Sequence, residues 1–131
     1  MAKVKAVFLD AATLGSDIDL IVLNRAYIDW DFYDYTSVSQ TAARIENAEI
    51  VITNKVVLNK QLIEQSPNLK LICVAATGMN NIDLETAAQH NIAVKNVLDY
   101  AGSSIAQLVF SYVLQLTTHS QKYHELVHQG A

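Results

Sequence analysis

Residues Leu69 to Ala76 read Leu-Lys-Leu-Ile-Cys-Val-Ala-Ala, an apolar run broken only by Lys70. A strand with one wet face alternates apolar and polar residues, whereas a strand covered on both faces is apolar at successive positions. This run therefore reads as an inner strand of a parallel sheet. Working outward from it, four more short β-rich runs appear at Val4 to Leu9, Phe32 to Tyr35, Ile50 to Thr53 and Ala93 to Val97, each bounded by polar or turn residues.

Helix-compatible segments lie between them, at Asp19 to Ala26, Val38 to Asn47, Lys60 to Gln65 and Leu84 to His90. Ser37 followed by Gln40 has the spacing of a capping box, Asn59 is placed to cap the next helix, and Pro67 stands where that helix must have ended. Strands alternating with helices require crossover connections. The predicted fold is therefore α/β: a flavodoxin-like five-stranded parallel sheet, order 2-1-3-4-5, with Leu69 to Ala76 at its centre, helices on both faces and a long C-terminal helix.

The chain has 131 residues, 51% of them apolar, which is enough for one domain with a core and too few for two ordinary ones. A formal charge of −4 with no run of Lys or Arg gives no footprint for nucleic acid or an anionic membrane. Charged residues make up 17% of the chain, against roughly 25% in an average domain, so more of its surface than usual is expected to be covered. The single cysteine, Cys73, sits in an apolar run and has no partner for an internal bridge, so it is expected to be a buried thiol in a reducing compartment. The N-terminal run ends at Asp10 without the layout of a secretion signal, and Ile105 to Leu116 is interrupted by Gln107, Ser111 and Gln115, too short and polar for a bilayer span. The cytoplasm is the expected location.

From Ser103 to about Gln129 the spacing predicts one helix, with Ser103 or Ser104 as cap and Gly130 just past the end. Ile105, Leu108, Val109, Tyr112, Val113 and Leu116 form one stripe, and Ala106, Phe110, Leu114 and Thr117 carry it round the cylinder. A helix closing a one-domain sheet needs one apolar stripe. The second implies a second contact, with another domain or another copy of the chain.

In an open parallel sheet, ligands bind outside the carboxyl ends of the strands. The loops there are Asp10 to Ser16, Thr53 to Lys55, Ala75 to Asn81 and Leu98 to Ser103. In the third, Gly78 permits close backbone approach, with Thr77, Asn80 and Asn81 supplying small polar groups, a composition suited to a carboxylate or phosphate. Lys55 on the neighbouring loop offers a positive charge that favours an anion. The same residues also read as an ordinary turn beside a solvated lysine.

At these residues the chain resembles the D-2-hydroxyacid dehydrogenase family, nearest its glycerate dehydrogenase or hydroxypyruvate reductase branch. The likeness is carried by Val74-Ala75-Ala76-Thr77-Gly78-Met79-Asn80-Asn81-Ile82-Asp83, Ile52-Thr53-Asn54-Lys55-Val56, Asn96-Val97-Leu98-Asp99-Tyr100 and Ser104-Ile105-Ala106-Gln107. It implies that residues 1–100 are the substrate-binding domain and 101–131 an inter-domain and dimerisation helix. It implies further that backbone amides of Ala76, Thr77 and Gly78 hold the carboxylate of a 2-hydroxy or 2-keto acid, with the Lys55 loop bordering the cleft. NAD or NADP is the cofactor implied for the parent enzyme. Met79 stands where the family usually has a small or polar residue, and Leu108 where it often has histidine. The family's glycine-rich dinucleotide fingerprint and its catalytic Arg, Glu and His would lie past Gln129, so no catalytic residue is assigned. The chain is expected to be a truncated half, inactive alone, and a homodimer that exchanges the helix after Tyr100 through a hinge at Asp99 to Ser103.

His124-Glu125-Leu126-Val127-His128 matches the zinc-peptidase spacing, but three residues from the C-terminus there is no room for the third ligand, and the match reads as accidental. A signalling receiver needs a phosphate-accepting Asp after the third strand, where Thr53-Asn54-Lys55 stands. A flavin domain needs a richer cradle than Thr13-Leu14-Gly15-Ser16. A non-catalytic binding or interaction module remains the alternative.

Overall fold

The computed structural model describes residues 3–130. The chain divides into two units, Met1–Leu98 and Asp99–Ala131. The first is built on five strands, β1 (Val4–Phe8), β2 (Ile28–Phe32), β3 (Ile50–Thr53), β4 (Leu71–Val74) and β5 (Ala93–Asn96). All pair in parallel, in the order β2-β1-β3-β4-β5. The Leu69 to Ala76 run supplies β4, an inner strand; the middle place belongs to β3.

Register explains the core. Val7, Val51, Ile72 and Val94 stand side by side across four strands, so they share one face. Against that face pack α1 (Val38–Ile45) through Ile45, α2 (Lys60–Glu64) through Ile63 and α3 (Leu84–Gln89) through Ala87, all buried. On the opposite face Ala6 and Phe8 are buried, while Ile50, Ile52, Leu71 and Cys73 are half-buried. Cys73 is thus less enclosed than its apolar neighbours suggested, because in β4 it is Ile72 and Val74 that point into the core. Burial still pushes its thiol pKa up.

Capping follows the sequence. The Gln40 side chain reaches back to the Ser37 amide (3.0 Å), and Asn59 Oδ1 accepts from the Leu62 amide (3.0 Å). Asp83 caps α3 through the Thr86 amide (2.9 Å), which holds the Asp83 carboxyl below its ordinary range.

Two elements differ from expectation. The second strand is Ile28–Phe32 rather than Phe32 to Tyr35. Its alternation of Ile28, Trp30 and Phe32 with Asp29 and Asp31 suits an edge strand, and the two aspartates clasp Lys5 of β1, each at 3.1 Å. The Asp19 to Ala26 segment forms only a 3-10 turn, Leu20–Leu23. Asp19 accepts from the Ile21 amide at 2.9 Å, the Ile21-Val22 pair is β-branched, and Arg25 takes the Val22 and Asn24 carbonyls (2.8 and 2.9 Å), which ends the turn early.

The second unit is helical. The predicted single helix is two, α4 (Gly102–Thr118) and α5 (Ser120–His128), separated by His119 in the left-handed conformation (φ 52°, ψ 32°). Thr117 and Thr118 prepare the break: their hydroxyls donate back to the carbonyls of Val113 and Leu114 at 2.7 to 3.1 Å, a habit that bends helices. The His119 amide then closes α4 on the Gln115 carbonyl (3.0 Å). The cap at the other end is Ala101, without a side-chain bond, and Ser103 and Ser104 lie inside the first turn instead. Gly130 follows α5 with φ 78°, the conformation glycine adopts most readily. No described residue of α4 or α5 is buried. None of the described helices is long and apolar enough to cross a membrane.

Candidate functional site

Three loops meet at the carboxyl end of the sheet: Asp10 onward after β1, Thr53 to Val57 after β3, and Ala75 to Asn81 after β4. The last two are laced together. The Ala75 amide donates to the Thr53 carbonyl (2.8 Å), the Leu58 amide to the Asn81 carbonyl (2.9 Å), and Asn81 Nδ2 to the Val56 carbonyl (3.1 Å). Met79 turns inward and packs on the core. That accounts for an apolar residue in an otherwise polar loop.

The β4 loop is anchored by its carbonyls. The Ala76 carbonyl accepts from the Val97 amide (3.1 Å), and the Thr77 carbonyl from Asn96 Nδ2 (2.7 Å). In a trans peptide the C=O and the following N–H point in opposite directions. Fixing those two carbonyls toward β5 therefore aims the amides of Thr77 and Gly78 the other way. Among the described residues, no protein acceptor takes the amide of Ala76, Thr77 or Gly78. Thr77 and Gly78 are exposed. Successive amides without a protein acceptor on an open loop can receive an anion, since each N–H contributes a fixed partial positive charge. Gly78 lacks a positive φ; a Cβ there would stand 3.3 Å from Asn80 Oδ1, so glycine leaves room rather than enabling a special turn.

The β3 loop has the opposite arrangement, because its amides are already taken. The Asp10 carboxylate, 3% exposed, accepts from the amides of Asn54 (2.9 Å) and Lys55 (2.6 Å) and, at 3.3 Å, from that of Val56, whose shorter bond goes to Thr53 Oγ1 (2.9 Å). Thr13, which donates to the Asp10 carbonyl (2.6 Å), receives Asn54 Nδ2 (3.0 Å) and ties the β1 loop to the same frame. The exposed Lys55 side chain lines a cleft of about 540 Å³ together with Asp10, Thr13, Tyr35, Thr36 and Val38. That cleft opens where strand order reverses between β1 and β3.

The structure thus brings Lys55 and the Ala76 to Gly78 amides onto adjoining, hydrogen-bonded loops, but the amides do not line the cleft that Lys55 does. Two residues that the sequence did not single out for the site are Asn96 and Asp10. A polar residue ending an inner or edge strand beside a glycine loop, and an acid immediately after an apolar strand, were their signals.

The remaining motif stays isolated. His124 and His128 face each other on α5 with ring centroids 4.4 Å apart, and among the described residues no group of three His, Cys, Asp or Glu is placed to hold a metal. The chain's glycines, at 15, 78, 102 and 130, do not have the spacing of the turn that cradles a pyrophosphate.

Residues 7–125 match the model of the D-isomer specific 2-hydroxyacid dehydrogenase catalytic domain, and the chain belongs to that family. It is 38% identical over 112 residues to a Haemophilus influenzae protein assigned to the 2-hydroxyacid dehydrogenases, covering 86% of this chain and 35% of that one. It is 31% identical over 125 residues to the hydroxypyruvate reductase of Blautia hydrogenotrophica, covering 86% of this chain and 39% of that one. Among solved structures, the D-lactate dehydrogenase of Aquifex aeolicus, complexed with NAD and lactic acid, superposes with a TM-score of 0.72 at 21% identity, over 95% of this chain and 37% of that one, a likeness of fold. The chain spans less than two fifths of the length of each of these relatives.

Proposed function

We propose that this chain is the acid-binding domain of a nicotinamide-dependent 2-hydroxyacid dehydrogenase, and that it seats the substrate carboxylate on the amides of Ala76, Thr77 and Gly78. The observation that carries this is the pair of anchored carbonyls, Ala76 to Val97 and Thr77 to Asn96, which turns the amides of Thr77 and Gly78 outward, while among the described residues none of the three amides has a protein acceptor. An amide triplet suits a planar carboxylate, and Lys55 on the adjoining loop adds a favourable field for an anion.

The parent reaction interconverts a 2-hydroxy acid and a 2-keto acid, with NAD or NADP carrying the hydride. Without the spacing of a dinucleotide-cradling turn among their glycines, these residues are read as binding the acid and not turning it over by themselves. Titration of the labelled chain with glycolate or hydroxypyruvate tests the seat: the amide signals of Ala76, Thr77 and Gly78 shift first. Equal shifts across the surface, or none, would remove the proposal.

Self-association belongs to the same reading. Ile105, Leu108, Phe110, Leu114 and Leu116 of α4 are each more than half exposed. Apolar surface on several sides of one helix favours a second copy, with exchange of the segment after Tyr100 as one route. Asp99, beside Tyr100, has φ 54°, an unusual backbone for a hinge to carry. Sedimentation at micromolar concentration reads the outcome, and a monomer would reject this part. A cytoplasmic setting, suggested by the single thiol of Cys73, completes the proposal.

A further inference from the structure

The β3 loop turns the amides of Asn54, Lys55 and, at longer range, Val56 toward one point, and that point is filled by the chain's own carboxylate. Asp10 Oδ1 accepts from Asn54 N (2.9 Å); Oδ2 accepts from Lys55 N (2.6 Å), Asn54 N (3.1 Å), Val56 N (3.3 Å) and Thr53 Oγ1 (3.3 Å). Neither partner tolerates the loss of the other: a buried carboxylate without donors is costly, and so are converging amides without an acceptor.

We propose that Asp10 is the positioning residue of this site, a built-in anion that holds the Thr53 to Val56 loop and leaves the β4 amides as the seat open to a substrate carboxylate. Lys55 sits in the middle of the clasped tripeptide, so the direction in which its side chain leaves the loop is set by Asp10. The role of Asp10 at the site rests on the reading of the β4 amides as the carboxylate seat.

Asp10 also lines the cleft between the β1 and β3 loops, so shortening its side chain opens the place of the buried carboxylate to that cleft. That makes the proposal testable by replacement. In the full chain carrying Asp10→Ala, the amide signals of Asn54, Lys55 and Val56 shift and broaden, and glycolate binds at Ala76 to Gly78 roughly tenfold more weakly. Excess sodium formate, whose carboxylate fits the vacated place, restores the signals of the β3 loop; sodium chloride at the same ionic strength does not.

Loop signals that match the unmodified chain, or formate acting no better than chloride, would overturn the proposal. Should the alanine variant fail to fold, Asp10→Asn keeps the volume and one acceptor. It is expected to shift the same three amides without responding to formate, and unshifted signals there are equally fatal. If the unmodified chain binds no glycolate while the formate response is as described, the carboxylate seat is wrong and the hold of Asp10 on its loop stands.

Discussion

Asn96→Ala tests how the β4 amides are aimed. The side chain donates one hydrogen bond, Nδ2 to the Thr77 carbonyl at 2.7 Å, at an exposed position. The Thr77 carbonyl and the Gly78 N–H belong to the same peptide plane, so releasing one lets the other rotate away from the ligand. A neutral hydrogen bond at an exposed site contributes about 0.5–1.5 kcal/mol. If most of that is spent orienting the peptide, glycolate affinity falls by about two- to tenfold. Calorimetric titration measures it, with the urea midpoint of the same sample as control, since an exposed bond of this kind moves global stability little. An affinity equal to that of the unmodified chain would mean the Gly78 amide is not held by Asn96, and the argument for the seat would lose its main support. A loss of affinity matched by a large fall in the urea midpoint would point to general unfolding instead.

Two further outcomes follow from the core and from capping. Ile72 is fully buried in β4, and Ile72→Ala is expected to cost about 2–5 kcal/mol in urea unfolding, a large share of a small domain's stability. Asp83 has its carboxyl held low by the Thr86 amide; a group with a depressed folded value stabilises above its ordinary value and stops doing so as pH falls through the folded one. The Thr86 amide signal should therefore leave its native position as the sample is acidified below the ordinary aspartate value of 3.8, and Asp83→Asn, which still caps, should flatten that response.

The parts of the fold that were readable without coordinates are those where one residue type had one use. Ser37 with Gln40, and Asn59, had caps to make, and the Ile50 to Thr53 and Leu71 to Val74 runs had only sheet interior to fill. The edge strand was misread because Asp29 and Asp31 look like loop residues until Lys5 is seen between them, a pairing across 24 positions of chain. The helix break was misread because Thr117 and Thr118 fall on the helical spacing of their neighbours, and only their hydroxyl bonds to the preceding turn reveal the bend. For the site, Ala76 came from the resemblance alone, while Thr77 and Gly78 also stood out by the loop's composition and Lys55 by its charge. Asp10 and Asn96 act through contacts 44 and 19 residues away, which no local pattern encodes.

The left-handed torsion at His119 fixes the reach of the terminal arm. An unbroken helix from Gly102 to His128 would extend about 40 Å, whereas the two pieces measure about 26 and about 14 Å. Anything that grips both pieces meets a crooked finger. A β-branched residue at 119, which shuns positive φ by ~1–2 kcal/mol, would push the arm toward a straight rod and lengthen its span without altering any other side chain.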